Sequence, residues 1–206
     1  NNWQNIPLKD YILYEIHTGT FSEGGDFEGI AEKLDHLVEL GITAIELMPI
    51  AAFAGERNWG YDGVFPFAVH TAYGGPKALK QLVTLCHSKG IAVVLDVVYN
   101  HFGPEGNYLH EFAPYFTDKY KTPWGEAVNF DDRGSHGVRK YIIENVLMWF
   151  RDFNIDALRL DAVHAIKDNS AVHILQEIRT CTDLLSEQTG QQYYLIAECD
   201  LNDPSY

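Results

Sequence analysis

Positive charge is scarce in this chain: 15 Lys and Arg stand against 29 Asp and Glu in 206 residues, a formal net charge of −14, and no basic block interrupts the acidity. Without clustered cations to neutralise successive phosphates, nucleic acid and anionic membrane surfaces are excluded as partners. A neutral substrate remains compatible with such a surface. Cysteine is scarce as well. Cys86, Cys181 and Cys199 are far apart, odd in number and form no CxxC pair, so reduced thiols in a cytoplasmic protein are expected rather than a disulfide framework. No apolar run approaches the length of a membrane span, and the opening NNWQNIPLKD has no basic-then-apolar leader. Tandem repeats, low-complexity tracts and linkers are also missing. What is present, 46% hydrophobic residues including many aromatics, is enough to bury a sizeable core in one domain.

Short apolar runs alternate with longer segments of helical period. YILYEIH (11–17) reads as a strand, and FEGIAEKLDHLVELG (27–41) as a helix with Ile30, Leu34, Leu37 and Leu40 on one face and Gly41 as its stop. ITAIELMP is a second strand. A long loop (51–75) leads to a helix with Pro76 at its first position and Gly90 at its end, then to a third strand in IAVVLDVVYNH. A second long loop, an insertion at about 102–134, precedes a helix for which Ser135 is a plausible cap. IDALRLD is the fourth strand, SAVHILQEIRTCTDLLSEQTG (170–190) the fourth helix, and YYLIAE the fifth strand.

Strict strand–helix alternation with near-continuous apolar strands predicts a parallel sheet covered by helices. Two architectures fit, a doubly wound open sheet and a (β/α)8 barrel. The segment after the first strand, EIHTGTFSEGGDF, is not the GxGxxG of a doubly wound nucleotide-binding sheet. Polar residues collect instead at strand carboxyl ends, as His17, Asp96, Asp161 and Glu198, which is the habit of a barrel. The expected fold is therefore the amino-terminal part of a (β/α)8 TIM barrel spanning residues 1–206, with strands one to five and no sixth.

Side chains alternate along a strand, so Ala157, Arg159 and Asp161 share one face and Leu158 and Leu160 the other. The charged face would line the barrel mouth. A guanidinium beside Asp161 favours its ionised, nucleophilic form; the plainer alternative is a salt bridge that closes the barrel end. Glu198 ends the next strand on the face of Tyr194 and Ile196, and apolar neighbours would keep it protonated as a general acid. Two carboxyls of unlike environment at one mouth are the equipment of glycoside hydrolysis. Asp96 reads as an internal hydrogen-bond anchor, His101 and His164 as neutral donors to sugar hydroxyls. Trp59 and Tyr61, among glycines, offer faces for sugar rings or a hydrophobic cap, and His70 and Tyr73 fit either role. A metal site built from His17, His101, His164 and Asp96 is the rival reading, with no tight ligand spacing in its favour.

Four stretches, WGYDG (59–63), DVVYNH (96–101), LRLDAVHAI (158–166) and IAE (196–198), resemble in order and spacing the catalytic barrel of the alpha-amylase superfamily of glycoside hydrolases. NHFGPEGNYL, NFDD and AECDLNDP are similar to its trehalohydrolase branch, which acts on malto-oligosyltrehalose, more than to amylases or branching enzymes. The resemblance implies Asp161 as nucleophile and Glu198 as general acid/base. It also implies Arg159 as support for the nucleophile, with Tyr61, His101 and His164 binding sugar. The implied reaction hydrolyses the α-1,4 bond next to a terminal trehalose unit with retention. No cofactor is implied, and despite Asn100, which matches a calcium ligand of many amylases, no metal is expected. The superfamily's third acid, near the seventh strand, has no counterpart before Tyr206, so these residues are expected to be inactive alone. They are expected to associate with the rest of a barrel or with themselves through open strand edges, leaving Val94 and Ala157 partly uncovered. A non-catalytic barrel that binds glucan or protein is the alternative.

Overall fold

The computed structural model describes residues 3–201. In chain order its elements are β1 (Leu13–Ile16), α1 (Thr18–Phe21), α2 (Phe27–Ala31), α3 (Leu34–Glu39), β2 (Ala44–Leu47), β3 (Ala51–Ala52), β4 (Phe65–Val69) and α4 (Gly75–Ser88). They continue with β5 (Ala92–Val97), α5 (Leu109–Phe112), β6 (Phe116–Thr122), β7 (Gly125–Val128), α6 (Ser135–Phe153), β8 (Ala157–Leu160), α7 (Ile174–Thr189) and β9 (Tyr194–Ala197). Five strands form one sheet in the order β1-β2-β5-β8-β9, every pair parallel, with helices between successive strands. This is the expected barrel segment.

The pleat sorts the side chains. Ile45, Leu47, Val93, Leu95 and Leu158 point to one face and join the hydrophobic core. There they meet Leu79, Leu82, Val83 and Cys86 of α4 and Val138, Ile142, Val146 and Trp149 of α6, apolar positions repeating at helical spacing. On the opposite face the register stacks Glu46, Val94, Ala157 and Tyr194 in one row and Asp96, Arg159 and Ile196 in the next. Asp161 and Glu198 follow one residue beyond the last paired positions, their amides still bonded to Val97 and Leu160. Chemistry-bearing groups thus rise in steps toward the carboxyl ends of the strands.

Several expectations need correction. The helix over 27–41 is two helices, because the chain turns between Ala31 and Leu34; Asp26 caps the first by accepting from the Gly29 amide at 2.8 Å. Ile30, Leu34 and Leu37 are buried, while Leu40, which follows the end of α3 as its C-cap, is 56% exposed. Ser135 is the first residue of α6 rather than its cap, a place taken by Gly134 in the left-handed conformation with no side-chain bond. The fourth helix begins at Ile174, where the His173 ring accepts from the Leu175 amide. The two long loops carry structure of their own: β3 pairs with β4, and the 102–134 insertion holds α5 and the antiparallel hairpin β6–β7. Val94 and Ala157 are not partly uncovered but 0% exposed, since β5 and β8 have strands on both sides and neighbours in register. Ile12, Leu13 and Tyr14, on and just before the edge strand β1, are among the exposed apolar side chains. No helix among the described residues is long and apolar enough to cross a membrane.

Candidate active site

One guanidinium organises the strand ends. Arg159 Nη1 donates to Asp96 Oδ2 at 2.8 Å and to Asp161 Oδ1 at 2.6 Å, and Nη2 lies 3.7 Å from Glu198 Oε2. Three carboxyls from three adjacent strands therefore surround one cation. Tyr61 completes the cluster by donating its hydroxyl to Asp96 Oδ2 at 2.9 Å. Burial pushes the Asp96 carboxyl up to about 7, against the pull of Arg159 and the Tyr61 bond. Burial likewise raises the Tyr61 phenol, and the Asp96 charge adds to it. Burial works against the Arg159 charge, but Asp96 and Asp161 outweigh it and raise its pKa further. Asp96 Oδ2 thus bonds both Tyr61 and Arg159.

Glu198 differs from expectation. Its Oε2 accepts the Ala162 amide at 2.8 Å, and its own carbonyl accepts the Val163 amide at 3.0 Å. Its neighbours are a backbone N–H and a guanidinium rather than an apolar pocket. The amide reaches it because Ala162 adopts φ 45 and ψ 51, a left-handed conformation uncommon for a residue with a Cβ. Such backbone is retained where the surroundings over-determine it, commonly at functional sites.

The WGYDG loop is drawn onto the end of β5. His101 Nε2 bonds the Tyr61 carbonyl at 2.9 Å, and the Gly103 amide donates to Gly63 O at 3.0 Å. A Cβ on Gly103 would lie 1.9 Å from Asp62 O, and one on Gly60, at φ +101, 2.1 Å from Pro49 O. Glycine at these two positions is what lets the loops meet. Burial lowers the His101 pKa and keeps its ring neutral. Its Nδ1, the His164 Nδ1, Asp96 Oδ1 and both polar atoms of the Asn100 side chain are buried without a partner among the described residues. His164 Nε2 is 3.6 Å from Asp200.

Two aromatic residues part company. Trp59 is 74% exposed at the rim and packs on no other described ring, whereas Trp124, which sequence reasoning passed over, lies flat on His101 with centroids 4.8 Å apart and planes 5° apart. A groove of about 460 Å3 opens there, lined by Asp62, Phe102, Trp124 and Glu126 among others. The signal for Trp124 was its place within the PWG turn (123–125) of an otherwise polar stretch. His70 and Tyr73 belong to the core, His70 stacked on Phe53 at 3.7 Å. Among the described residues no three His, Cys, Asp or Glu side chains converge as metal ligands, so His17, His101, His164 and Asp96 do not form such a set. His17 instead bonds Asn58 O at 2.7 Å and Thr20 at 3.0 Å.

Fold and site together define a segment of a β/α barrel whose polar groups gather at the carboxyl ends of its strands. The chain belongs to the alpha-amylase family: the model of the alpha amylase catalytic domain matches residues 9–124. It is 54% identical over 203 residues to a malto-oligosyltrehalose trehalohydrolase of Saccharolobus solfataricus, covering 98% of this chain and 35% of that protein. It is 52% identical over 202 residues to one from a Rhizobium species, covering 98% and 34%. A crystal structure from Salmonella typhimurium, provisionally described as an alpha amylase, superposes with a TM-score of 0.90 at 44% identity, covering 97% of this chain and 34% of that one. The chain spans about a third of the length of the curated relatives it matches.

Proposed function

We propose that these residues form the amino-terminal part of the catalytic barrel of a glycoside hydrolase. The enzyme cleaves the α-1,4-glucosidic bond next to the terminal trehalose unit of malto-oligosyltrehalose. The observation that carries this reading is the Arg159 guanidinium holding Asp96 and Asp161 and reaching toward Glu198. With Asp96 as its second anchor, Arg159 fixes the Asp161 carboxylate for attack on the anomeric carbon. Glu198 delivers a proton to the leaving glycosidic oxygen, a glucosyl ester forms on Asp161, and Glu198 then takes a proton from the water that hydrolyses it. Inversion twice gives retention. Two carboxyls gathered at one guanidinium suit this close-pair mechanism better than the wider separation that an inverting water requires.

His101, His164 and Tyr61 bind the sugar at the cleaved position, and Trp124 with Trp59 offers aromatic faces for rings further along. The buried polar atoms of Asn100, His101 and His164 gain hydrogen bonds from sugar hydroxyls. The name shared by the relatives at 54% and 52% identity supports the trehalose-releasing specificity. Cys86, Cys181 and Cys199 are all free thiols, which supports a cytoplasmic protein, and the substrate is a neutral oligosaccharide rather than nucleic acid or membrane. In the full-length protein, trehalose should be released from maltotriosyltrehalose faster than maltose or glucose from maltotetraose, as read by chromatography. Equal rates, or transfer to α-1,6 branches, would move the assignment to an amylase or a branching enzyme. Glucan binding without turnover would make it a binding barrel.

A further inference from the structure

Arg139 stands in the second turn of α6, outside the cluster around Asp161, and engages three segments at once. Nε and Nη2 hold Glu177 of α7 at 2.8 and 2.7 Å. Nη1 donates to Asp168 Oδ2 at 2.7 Å, to the Phe130 carbonyl at 2.9 Å and to the Ser170 hydroxyl at 3.3 Å, and Nη2 donates to the Val172 carbonyl at 2.7 Å. Asp168, whose side chain is fully buried, also accepts the amides of Ile174 at 2.6 Å and Ser170 at 2.9 Å. A tie between two helices would need only Glu177. The bonds to Phe130, Asp168 and Val172 instead fix the paths of two loops, and the planar fork that reaches them all is one a lysine cannot reproduce.

Those loops are the ones that bear substrate-facing groups. Phe130 follows β7, whose hairpin presents Trp124 against His101. Asp168 and Val172 lie in the segment that leaves Asp161 and carries His164. A second joint ties the same two segments: Asp131 Oδ2 accepts the Tyr120 hydroxyl at 2.5 Å, Lys119 Nζ at 2.9 Å and the Asn169 amide at 2.8 Å, while the Asn169 side chain donates to the Tyr120 hydroxyl at 2.7 Å.

We propose that Arg139 is a positioning residue for substrate binding: with Asp168 it fastens the Trp124 loop and the His164 loop into one wall of the cleft. The proposal rests on the site assignment above but makes a claim that can fail separately. In the full-length protein, Arg139→Lys should raise KM for malto-oligosyltrehalose by about tenfold while kcat changes less than about threefold, the pattern of lost binding rather than lost chemistry. Amide hydrogen exchange should quicken together in 129–133 and 164–173, with β5 and β8 unchanged. Asp168→Asn, close in shape, carries the same expectation should Arg139→Lys fail to fold. A lowered melting temperature with KM unchanged, a fall in kcat at constant KM, or faster exchange confined to α6 and α7 would overturn the proposal. The exchange readout needs no turnover, so a protein that releases no trehalose would strike the functional reading while the exchange still decides the wall.

Discussion

The two ends of the sheet treat buried polar groups in opposite ways. At the amino end, just before β8, both oxygens of buried Asp156 are occupied: Trp3 Nε1 donates to Oδ1 at 2.7 Å, and the Val93 amide and His87 Nε2 each sit 2.8 Å from Oδ2. The Trp3 indole stacks on the His87 ring at 4.3 Å, and Asn5 donates to the carbonyls of Asp156 and Gln192. At the carboxyl end, Asp96 Oδ1, the Asn100 amide, His101 Nδ1 and His164 Nδ1 have no partner among the described residues. An unmet buried polar atom costs about 1–3 kcal/mol. One end has its buried polar groups paired; on the function proposed above, the unpaired groups of the other end bond sugar hydroxyls. This is how a barrel divides its faces.

The largest expected effect separates the ends outright. Asp161→Asn should lower turnover by about 10^4-fold, because an amide cannot form the glycosyl ester, while the melting temperature barely moves. Steady-state rates beside a thermal melt decide it, and near-normal activity would remove the nucleophile from the account. Glu198→Gln should cost about 10^2–10^4-fold with natural substrates and much less with substrates whose leaving group needs no proton. Absence of that rescue would mean that Glu198, held by the Ala162 amide, has another task.

The opposite end should answer in stability. Asp156→Ala strips acceptors from the Trp3 indole, the His87 ring and the Val93 amide, at about 1–3 kcal/mol for each donor left unmet. Turnover per folded molecule should stay the same. Denaturant melts paired with active-site titration test this, and a loss of kcat at full folding would erase the contrast between the ends.

The smallest effect is in pH. Asp96 is pushed up to about 7 by burial, with Arg159 opposing, from an ordinary value of 3.8. A carboxyl raised on folding contributes stability that is present below its unfolded value and lost as pH rises through the folded one. Wild-type melting temperature should therefore fall between about pH 4 and 7 relative to Asp96→Asn, by up to about 10 °C. Parallel profiles would mean that the Asp96 charge is fully compensated.

The alternation of strands and helices was legible because β2, β5 and β8 are apolar runs and α4 and α6 keep one buried stripe. The grouping of Asp96, Arg159, Asp161 and Glu198 followed from period-two alternation within each strand together with the expectation of a parallel barrel that sets the strand ends side by side. Other features were hidden for physical reasons. Leu34 and Leu37 continue the apolar period across the turn that splits α2 from α3, so composition reports one helix where the backbone makes two. The β6–β7 hairpin is polar and its register shifts between Thr117 and Lys121, which blurs the alternation that would reveal it. The Asp156 cluster joins Trp3 to a partner 153 residues away, and Arg139 joins three segments, two of them through backbone carbonyls; no local pattern records either. The neighbours of Glu198 depend on one left-handed residue, Ala162, which the letters DAVH do not announce.

The central claim is that Asp161 is the group that bonds to sugar. In full-length Glu198→Gln enzyme given α-maltosyl fluoride, departure of fluoride needs no proton while hydrolysis of the ester lacks its base, so a glycosyl-enzyme should accumulate. Peptide mass spectrometry should then find one maltosyl unit per molecule, on the peptide that contains Asp161. A label on any other residue, or no adduct alongside a product of inverted configuration, would contradict the account.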